Sequence, residues 1–444
     1  MNKPGVFIVM LILFCACQAV CQTKIYTYYD SLQQQVKSEF YILNNDTSLI
    51  DGKFLKYYPD GNVQLEGEFM KGKKNGEFRE YYPDNTLQRV IRFENDLRQG
   101  PTQVYDESGK LVQTGHFAND TLTGVLEVYF DDGTVKNTTE FVKGQPDGKV
   151  IQYYPNGKIK QEIEYREGKP NGLTKSYYDD GTPQTEAMFV NGQVDGFFRT
   201  YYPNGQLNTE YHNTKGTKTG AYTSYYEDGQ LQLEGTYKEG KLDGLNKFYY
   251  PNGNLQHLFR YGSGKSLGKN YTYYENGKVK DEMSFSASGD DTDIITFSEE
   301  GNKVSETSYE GKNPKGRWTY YFDNGNIQKE EQYSDGKLNG VSLEYYPDGG
   351  KKLETPYQNE IIIGQVKEYY ESGKVKSETS YKFGRKHGPY HEYFDSDQVK
   401  LEGEYAGNKK VGEWKEYSKK GKQIKTYRYQ NNQLVEETNV TEKE

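Results

Sequence analysis

Cysteine is nearly missing from this chain of 444 residues: Cys15, Cys17 and Cys21 are all there is, and all lie in the first 21 positions. Once that segment is removed, the rest can form no disulfide and use no thiolate, which excludes a disulfide scaffold and cysteine catalysis. Hydrophobic residues are only 33% of the chain, and its longest apolar run, residues 6–14, is too short to span a bilayer. No segment sustains a 3.6-residue apolar period, and 48 glycines recur too often for helices to survive. Such polarity alone points to disorder, but 44 Tyr and 20 Phe argue against it, because Tyr buries a large ring while keeping a polar tip.

What is present is a ruler. An aromatic stands at every twenty-fourth residue, sixteen times from Tyr57 through Tyr81 and Tyr105 to Tyr417, and Phe297 is the one member that is not Tyr. Four residues after each comes Gly, replaced only by Asn85 and Asp397, which also tolerate the left-handed region. Five residues before each is another Gly, broken only by Thr292, and twelve after is a second aromatic row, from Phe69 to Tyr429, with Asn213 its gap. A fixed period of this length means one supersecondary unit stacked many times. Each repeat then touches only its neighbours, which disfavours a buried catalytic cleft.

Within a unit, a Tyr-rich run leads into Pro-Asn-Gly or Pro-Asp-Gly, tight-turn chemistry, and a run alternating apolar and polar residues follows. A second connection carries its own Asn-Gly or Asp-Gly, as at Asn75-Gly76, Asp147-Gly148 and Asn171-Gly172. The fold class expected is all-β: an elongated tandem array of 24-residue β-hairpins forming a long twisted antiparallel sheet, a rod of about 150 Å.

Residues 1–21 have the form of a secretory signal peptide: Lys3, the apolar run, then Ala19-Val20-Cys21 before the cut. A rival reading makes Cys17 a lipid-modified anchor, although Phe14 fits that motif poorly. Both place the repeats outside the cytoplasm, in the periplasm, on the cell surface or secreted. Loss of Lys3 takes the formal charge from −9 to −10, so neither nucleic acid nor an anionic membrane surface is an expected partner; membrane contact is expected only with a lipid anchor. Residues 22–51 hold a degenerate copy suited to an N-terminal cap, residues 52–435 the sixteen repeats, and residues 436–444 a polar tail. Residues 286–301 are expected to be the weakest joint, because that repeat loses both its Tyr and its usual Gly.

The string Tyr-Tyr-Pro-Asn-Gly-x-Leu, then Glu, then Tyr-x-x-Gly-Lys-x-x-Gly resembles the MORN repeat (membrane occupation and recognition nexus), in the bacterial variant form found in secreted and envelope proteins. The resemblance covers residues 52 to about 435. It implies side-by-side β-hairpins and a scaffolding role in place of catalysis. Some members bear an antitoxin-like label, but a secreted chain is in the wrong compartment to neutralise a cytoplasmic toxin.

The Tyr rows are expected to be core stripes. Adjacent strand residues point to opposite faces, however, so in pairs such as Tyr153-Tyr154 and Tyr177-Tyr178 one ring is expected to be left exposed, which would suit a sugar-binding ladder. Gly262-Ser263-Gly264-Lys265-Ser266 reads as a hairpin turn in place of a phosphate loop. Asp290, Asp291 and Asp293 read as an exposed acidic turn in place of a Ca²⁺ site. His387 and His391, on one strand, would be about 13 Å apart. The recurrent Glu (Glu66, Glu162, Glu186 and on to Glu402) reads as a solvated row facing Lys, and the slot shared by Trp318, Trp414, Phe54 and Phe78 argues for packing. No catalytic, cofactor or metal residues are assigned. The expectation is a non-enzymatic scaffold for a protein partner; the alternatives are a cell-wall glycan module using exposed Tyr rows and a toxin antagonist.

Overall fold

The computed structural model describes residues 22–440. The signal segment, Cys17 and residues 441–444 lie outside them. Two compact units divide at Gly205 and Gln206. The first runs from strand Gln22–Tyr28 to strand Gln193–Tyr201, the second from Leu207–Thr214 to Gln433–Asn439. Within each, strands pair antiparallel with their sequence neighbours, and no helix occurs among the described residues. The hairpin array is therefore present, and residues 22–51 contribute strands to the same ladder.

Both turns follow from backbone chemistry. At Tyr58 the Gly61 N–H donates to the Tyr58 carbonyl (3.0 Å) and the Tyr58 N–H to the Asn62 carbonyl (2.8 Å), enclosing Pro59, Asp60 and Gly61 in a three-residue loop with Gly61 at φ 92°. Lys56 opposes Leu65 but Tyr57 opposes Val63, so Gln64 is an extra residue, a bulge repeated along the array. The second connection departs from expectation. Its turn is the two-residue pair Lys71-Gly72, at φ 50° and 82°, a type I′ geometry whose twist matches the strands. Asn75-Gly76 sits beyond it, in the returning strand, where Gly76 at φ 91° lets the register slip.

The two remaining periodic rows are cross-strand partners: Gly76 opposes Phe93, Gly172 opposes Phe189 and Gly412 opposes Tyr429. The ring covers a residue that has no side chain. Rings then meet along one face, with Phe54–Phe69, Phe69–Phe78 and Phe78–Phe93 centroids 5.3, 5.6 and 5.1 Å apart. Phe78 is 1% exposed and Trp414 0%. Size is complementary across the ladder, since Phe54, Tyr222 and Tyr390 each oppose a glycine (Gly67, Gly235, Gly403). Where the second row lapses at Asn213, Tyr211, two residues earlier on the same face, opposes Tyr222.

Hairpin tips clamp onto their predecessors. The Asp96 N–H donates to the Lys74 carbonyl (3.0 Å) and the Lys74 N–H to the Asp96 carboxylate (2.7 Å). Asn408 with Lys386 and Asn432 with Lys410 repeat the arrangement. The residue clamped, seven before the ruler, lies over the aromatic row. Where it is a cation it sits on the ring: Lys74 is 4.8 Å from the Phe93 centroid, Arg98 4.1 Å from Phe117 and Lys410 4.2 Å from Trp414.

One expected boundary changes. The array runs into the segment read as a polar tail, because Gln433–Asn439 pairs with Gln423–Gln430 and the Arg428–Glu436 and Lys425–Glu437 ion pairs hold it. Around residues 286–301 the ladder is unbroken. Strand Val279–Phe285 pairs with Asp291–Phe297 without a register shift, because Thr292 replaces the bulge glycine.

Candidate functional site

The face opposite the ring row carries the ruler tyrosines. Strand alternation places Arg79 and Tyr81 on it together, and Glu66 opposes Arg79. The Tyr81 hydroxyl donates to Glu66 at 2.6 Å, and the same bond joins Tyr201 to Glu186 (2.9 Å), Tyr249 to Glu234 (2.8 Å) and Tyr417 to Glu402 (2.7 Å). Cations complete the unit, with Lys247 at 2.7 Å from Glu234 and Lys367 at 3.1 Å from Glu378. The glutamates are thus half-buried acceptors and not a solvated row, and Glu330 is only 8% exposed. Burial, then the Glu66 carboxylate, pushes the Tyr81 phenol up to about 12. The Lys247 hydrogen bond, then that from Tyr249, holds Glu234 below the usual carboxylate range.

Beside this row run exposed cross-strand charge pairs of alternating sense: Lys53 opposite Glu68, Glu77 opposite Arg92, Lys149 opposite Glu164 and Glu413 opposite Arg428. They wall open grooves at equivalent repeat positions, one of about 480 Å³ with Lys53, Glu68 and Arg79 and one of about 200 Å³ with Lys149, Glu164 and Lys175.

The expected exposed tyrosine ladder is not formed. Both rings of Tyr153-Tyr154, Tyr177-Tyr178, Tyr201-Tyr202, Tyr225-Tyr226 and Tyr249-Tyr250 are half-buried. The second hydroxyl is spent inside the array, with Tyr154 donating to the Tyr177 carbonyl (2.8 Å), Tyr178 to Tyr201 (2.9 Å), Tyr226 to Tyr249 (2.6 Å) and Tyr250 to Tyr273 (2.8 Å). Strand alternation exposes a ring only when nothing lies beyond the strand end, and here the next repeat supplies a carbonyl.

Ser263-Gly264 is a two-residue turn at φ 49° and 86°, as the repeat pattern predicts for that string. The three aspartates diverge onto separate partners, Asp290 on Lys265 (3.9 Å), Asp291 on Lys315 (3.1 Å) and Asp293 on the Ser308 hydroxyl (2.6 Å). Among the described residues no group of three or more His, Cys, Asp or Glu could hold a metal ion. Trp318 packs between Tyr309 and Tyr333 (5.1 and 4.6 Å), so the shared slot is a packing slot. Its signal was the position alone; the cations seven before the ruler, Lys74, Arg98, Lys218, Lys386 and Lys410, stand at only five of the sixteen repeats, so their place over the rings had a weaker periodic signal.

No curated protein matches the chain. Similar solved structures include TcdB2-TccC3-Cdc42, at 11% identity and a TM-score of 0.14 over 92% of this chain and 30% of that one. A Tc holotoxin pore from Photorhabdus luminescens matches at 11% identity and a TM-score of 0.13 over 91% and 27%. The chain spans less than a third of those chains, and a likeness at that level says nothing further of it. The MORN repeat variant pattern matches residues 50–71, 74–95, 98–119, 146–167, 170–191, 195–213, 218–239, 242–261, 267–287, 314–335, 338–359 and 363–383, more than half of the chain. The chain therefore belongs to the MORN repeat variant family.

Proposed function

We propose that this protein is a non-enzymatic scaffold, held outside the cytoplasm, that binds a protein partner along its ruler-tyrosine face. The observation that carries the reading is the recurrence of one unit on that face: a Tyr–Glu bond with a nearby cation, edged by exposed pairs such as Lys53–Glu68 and Lys149–Glu164. Tyrosine offers contact area at small entropic cost, and mixed charges set register and exclude wrong partners. The export reading rests on residues 1–21.

The test is co-sedimentation of the full-length mature chain with isolated cell envelopes, half of them protease-stripped. Binding only to untreated envelopes, lost when Lys53, Glu68, Lys149 and Glu164 are charge-reversed together, is the expected result. Equal binding to stripped wall would overturn the protein-partner reading.

A further inference from the structure

Strands such as Val63–Met70 run from a three-residue turn to a two-residue hairpin tip, so in each unit the turns stand along one edge of the sheet and the tips along the other, about 25 Å apart. Neighbouring turns are bonded in line: the Asn62 amide donates to the Pro83 carbonyl (2.6 Å) and that of Asn324 to the Pro347 carbonyl (2.8 Å). The clamp at Lys74 and Asp96 aligns the tips in the same way.

The two edges carry opposite charge. In the first unit the turn segments, residues 58–62 and their equivalents up to 178–182, hold eight carboxylates and two cations, whereas the tip segments, 70–74 and equivalents up to 190–194, hold seven cations and four carboxylates. The second unit has the same bias by itself. Its turns from 226–230 to 418–422 hold ten carboxylates and five cations, and its tips from 214–218 to 430–434 hold twelve cations and five carboxylates. The formal charge of −9 therefore conceals a positive edge.

Folding does not demand this separation. Asp84 caps its turn by accepting the Thr86 N–H (2.9 Å), but Asn156 does the same for Lys158 (3.0 Å) without a charge. The residue two after the ruler is Pro in six repeats, so the turn needs no side-chain bond there; in nine others it is Asp or Glu, all exposed, and Lys419 is the exception. Sixteen after the ruler the bias reverses, with seven exposed cations, among them Lys73, Lys169, Lys241, Arg385 and Lys409, and no acid. Those five cations make no ion pair among the described residues, and neither do Asp131, Asp179, Glu275 and Asp323 on the other edge. Both rows recur once per two strands, a pitch of about 9.6 Å. An unrelated acidic protein has no reason to share that pitch, whereas a second copy of this chain has it on its opposite edge.

We propose that copies of this chain associate side by side, the basic tip edge of one lying against the acidic turn edge of the next. A shift by a whole repeat restores the match, so register is set in steps of one repeat. The contact joins unlike surfaces and leaves a free edge on each side, so it continues into a raft in place of closing as a dimer. Both faces of the sheet stay open, including the ruler-tyrosine face.

The mature chain, residues 22–444, is followed by sedimentation velocity over a range of concentrations in about 20 mM and about 500 mM NaCl. The expected result is an average mass that rises with concentration at low salt and returns to monomer at high salt. One variant neutralises the turn edge (Asp131→Asn, Asp179→Asn, Glu275→Gln and Asp323→Asn) and another the tip edge (Lys73→Gln, Lys169→Gln, Lys241→Gln and Lys409→Gln). Gln145, Gln193 and Gln433 already occupy the substituted tip position, and circular dichroism checks that both variants fold. Each variant alone should associate roughly tenfold more weakly. Their equimolar mixture, with one intact edge of each kind, should regain the affinity but form predominantly dimers. A wild-type chain that stays monomeric at low salt, association indifferent to salt or to both variants, or a mixture no stronger than its components would each overturn the proposal. Association seen only on addition of polyphosphate would overturn it too, assigning the tip edge to an anionic polymer. None of the substituted residues is Lys53, Glu68, Lys149 or Glu164, so this proposal and the envelope reading fail separately.

Discussion

The Tyr58 hydroxyl donates to the carbonyl oxygen of Tyr81 at 2.8 Å, so the second tyrosine of one repeat fastens the ruler tyrosine of the next. Removing only the hydroxyl, with Tyr58→Phe, should cost about 0.5–1.5 kcal/mol, and Tyr58→Ala more, because the half-buried ring goes too. Urea denaturation of the three proteins checks this. Equal stability of Tyr58→Phe and wild type would mean that water replaces the bond without loss.

Glycines that face rings should not tolerate a methyl group. A Cβ on Gly67 would lie 2.4 Å from the Phe78 ring. Gly67→Ala is therefore expected to lose about 1–3 kcal/mol, with most of the loss recovered when Phe78→Leu is added. The thermal midpoints of the single and double variants decide it.

The tip clamp separates backbone from side-chain effects. Asp96 is at φ 72° and accepts from the Lys74 N–H. Asp96→Asn should be nearly neutral, since Asn408 and Asn432 make the same bond elsewhere. Asp96→Gly should lose the bond alone, about 0.5–1.5 kcal/mol, and Asp96→Ala should lose more because it adds left-handed strain. An order other than this in denaturation midpoints would count against the clamp.

His257 packs against Phe248 and Phe259, at 5.6 and 5.2 Å. Burial, then the positive Lys280, lowers its pKa below the usual value. The folded state therefore holds it neutral where the unfolded chain takes up a proton. Stability is full above pH about 6.5 and falls as pH drops from there through the folded pKa. His257→Phe should flatten that part of the profile between pH 7.5 and 5, measured by melting; an unchanged slope would assign it to other groups.

Residues 286–301 should exchange amide hydrogens first. Phe297 has no hydroxyl for Glu282, and Ser298 stands where other repeats have the tyrosine that reaches the next carbonyl. Two inter-repeat bonds are thus missing while the ladder itself is intact. Hydrogen-exchange mass spectrometry should show lower protection there than around Tyr249, and uniform protection would show that the ladder suffices.

Much of this was legible in the residues because it is periodic. Tyr, Gly and Phe at fixed offsets specify strands, turns and the face that packs, and Asn85 and Asp397 were readable as left-handed from their type; they lie at φ 69° and 66°. The turn at Lys71-Gly72 was not, because Asn75-Gly76 is a stronger local signal and only the neighbouring strand decides which pair turns. Nor was the fate of the tandem tyrosines, since alternation along one strand does not reveal that the next repeat presents a carbonyl to Tyr154. Nor does the shared slot reveal what the indole bonds to: Trp318 donates to the Ser308 carbonyl, while the buried Trp414 indole N–H has no acceptor.

Among the described residues strands pair with their sequence neighbours, and bonds that cross repeats are local in sequence, such as those from Lys74 to Asp96 and from Tyr58 to Tyr81, 22 and 23 residues apart. No segment has to wait for a distant one to be synthesised. A chain threading out of a ribosome or a membrane pore can close each hairpin as the following one emerges, so exit itself sets the order of assembly and few strand edges stand open at any moment.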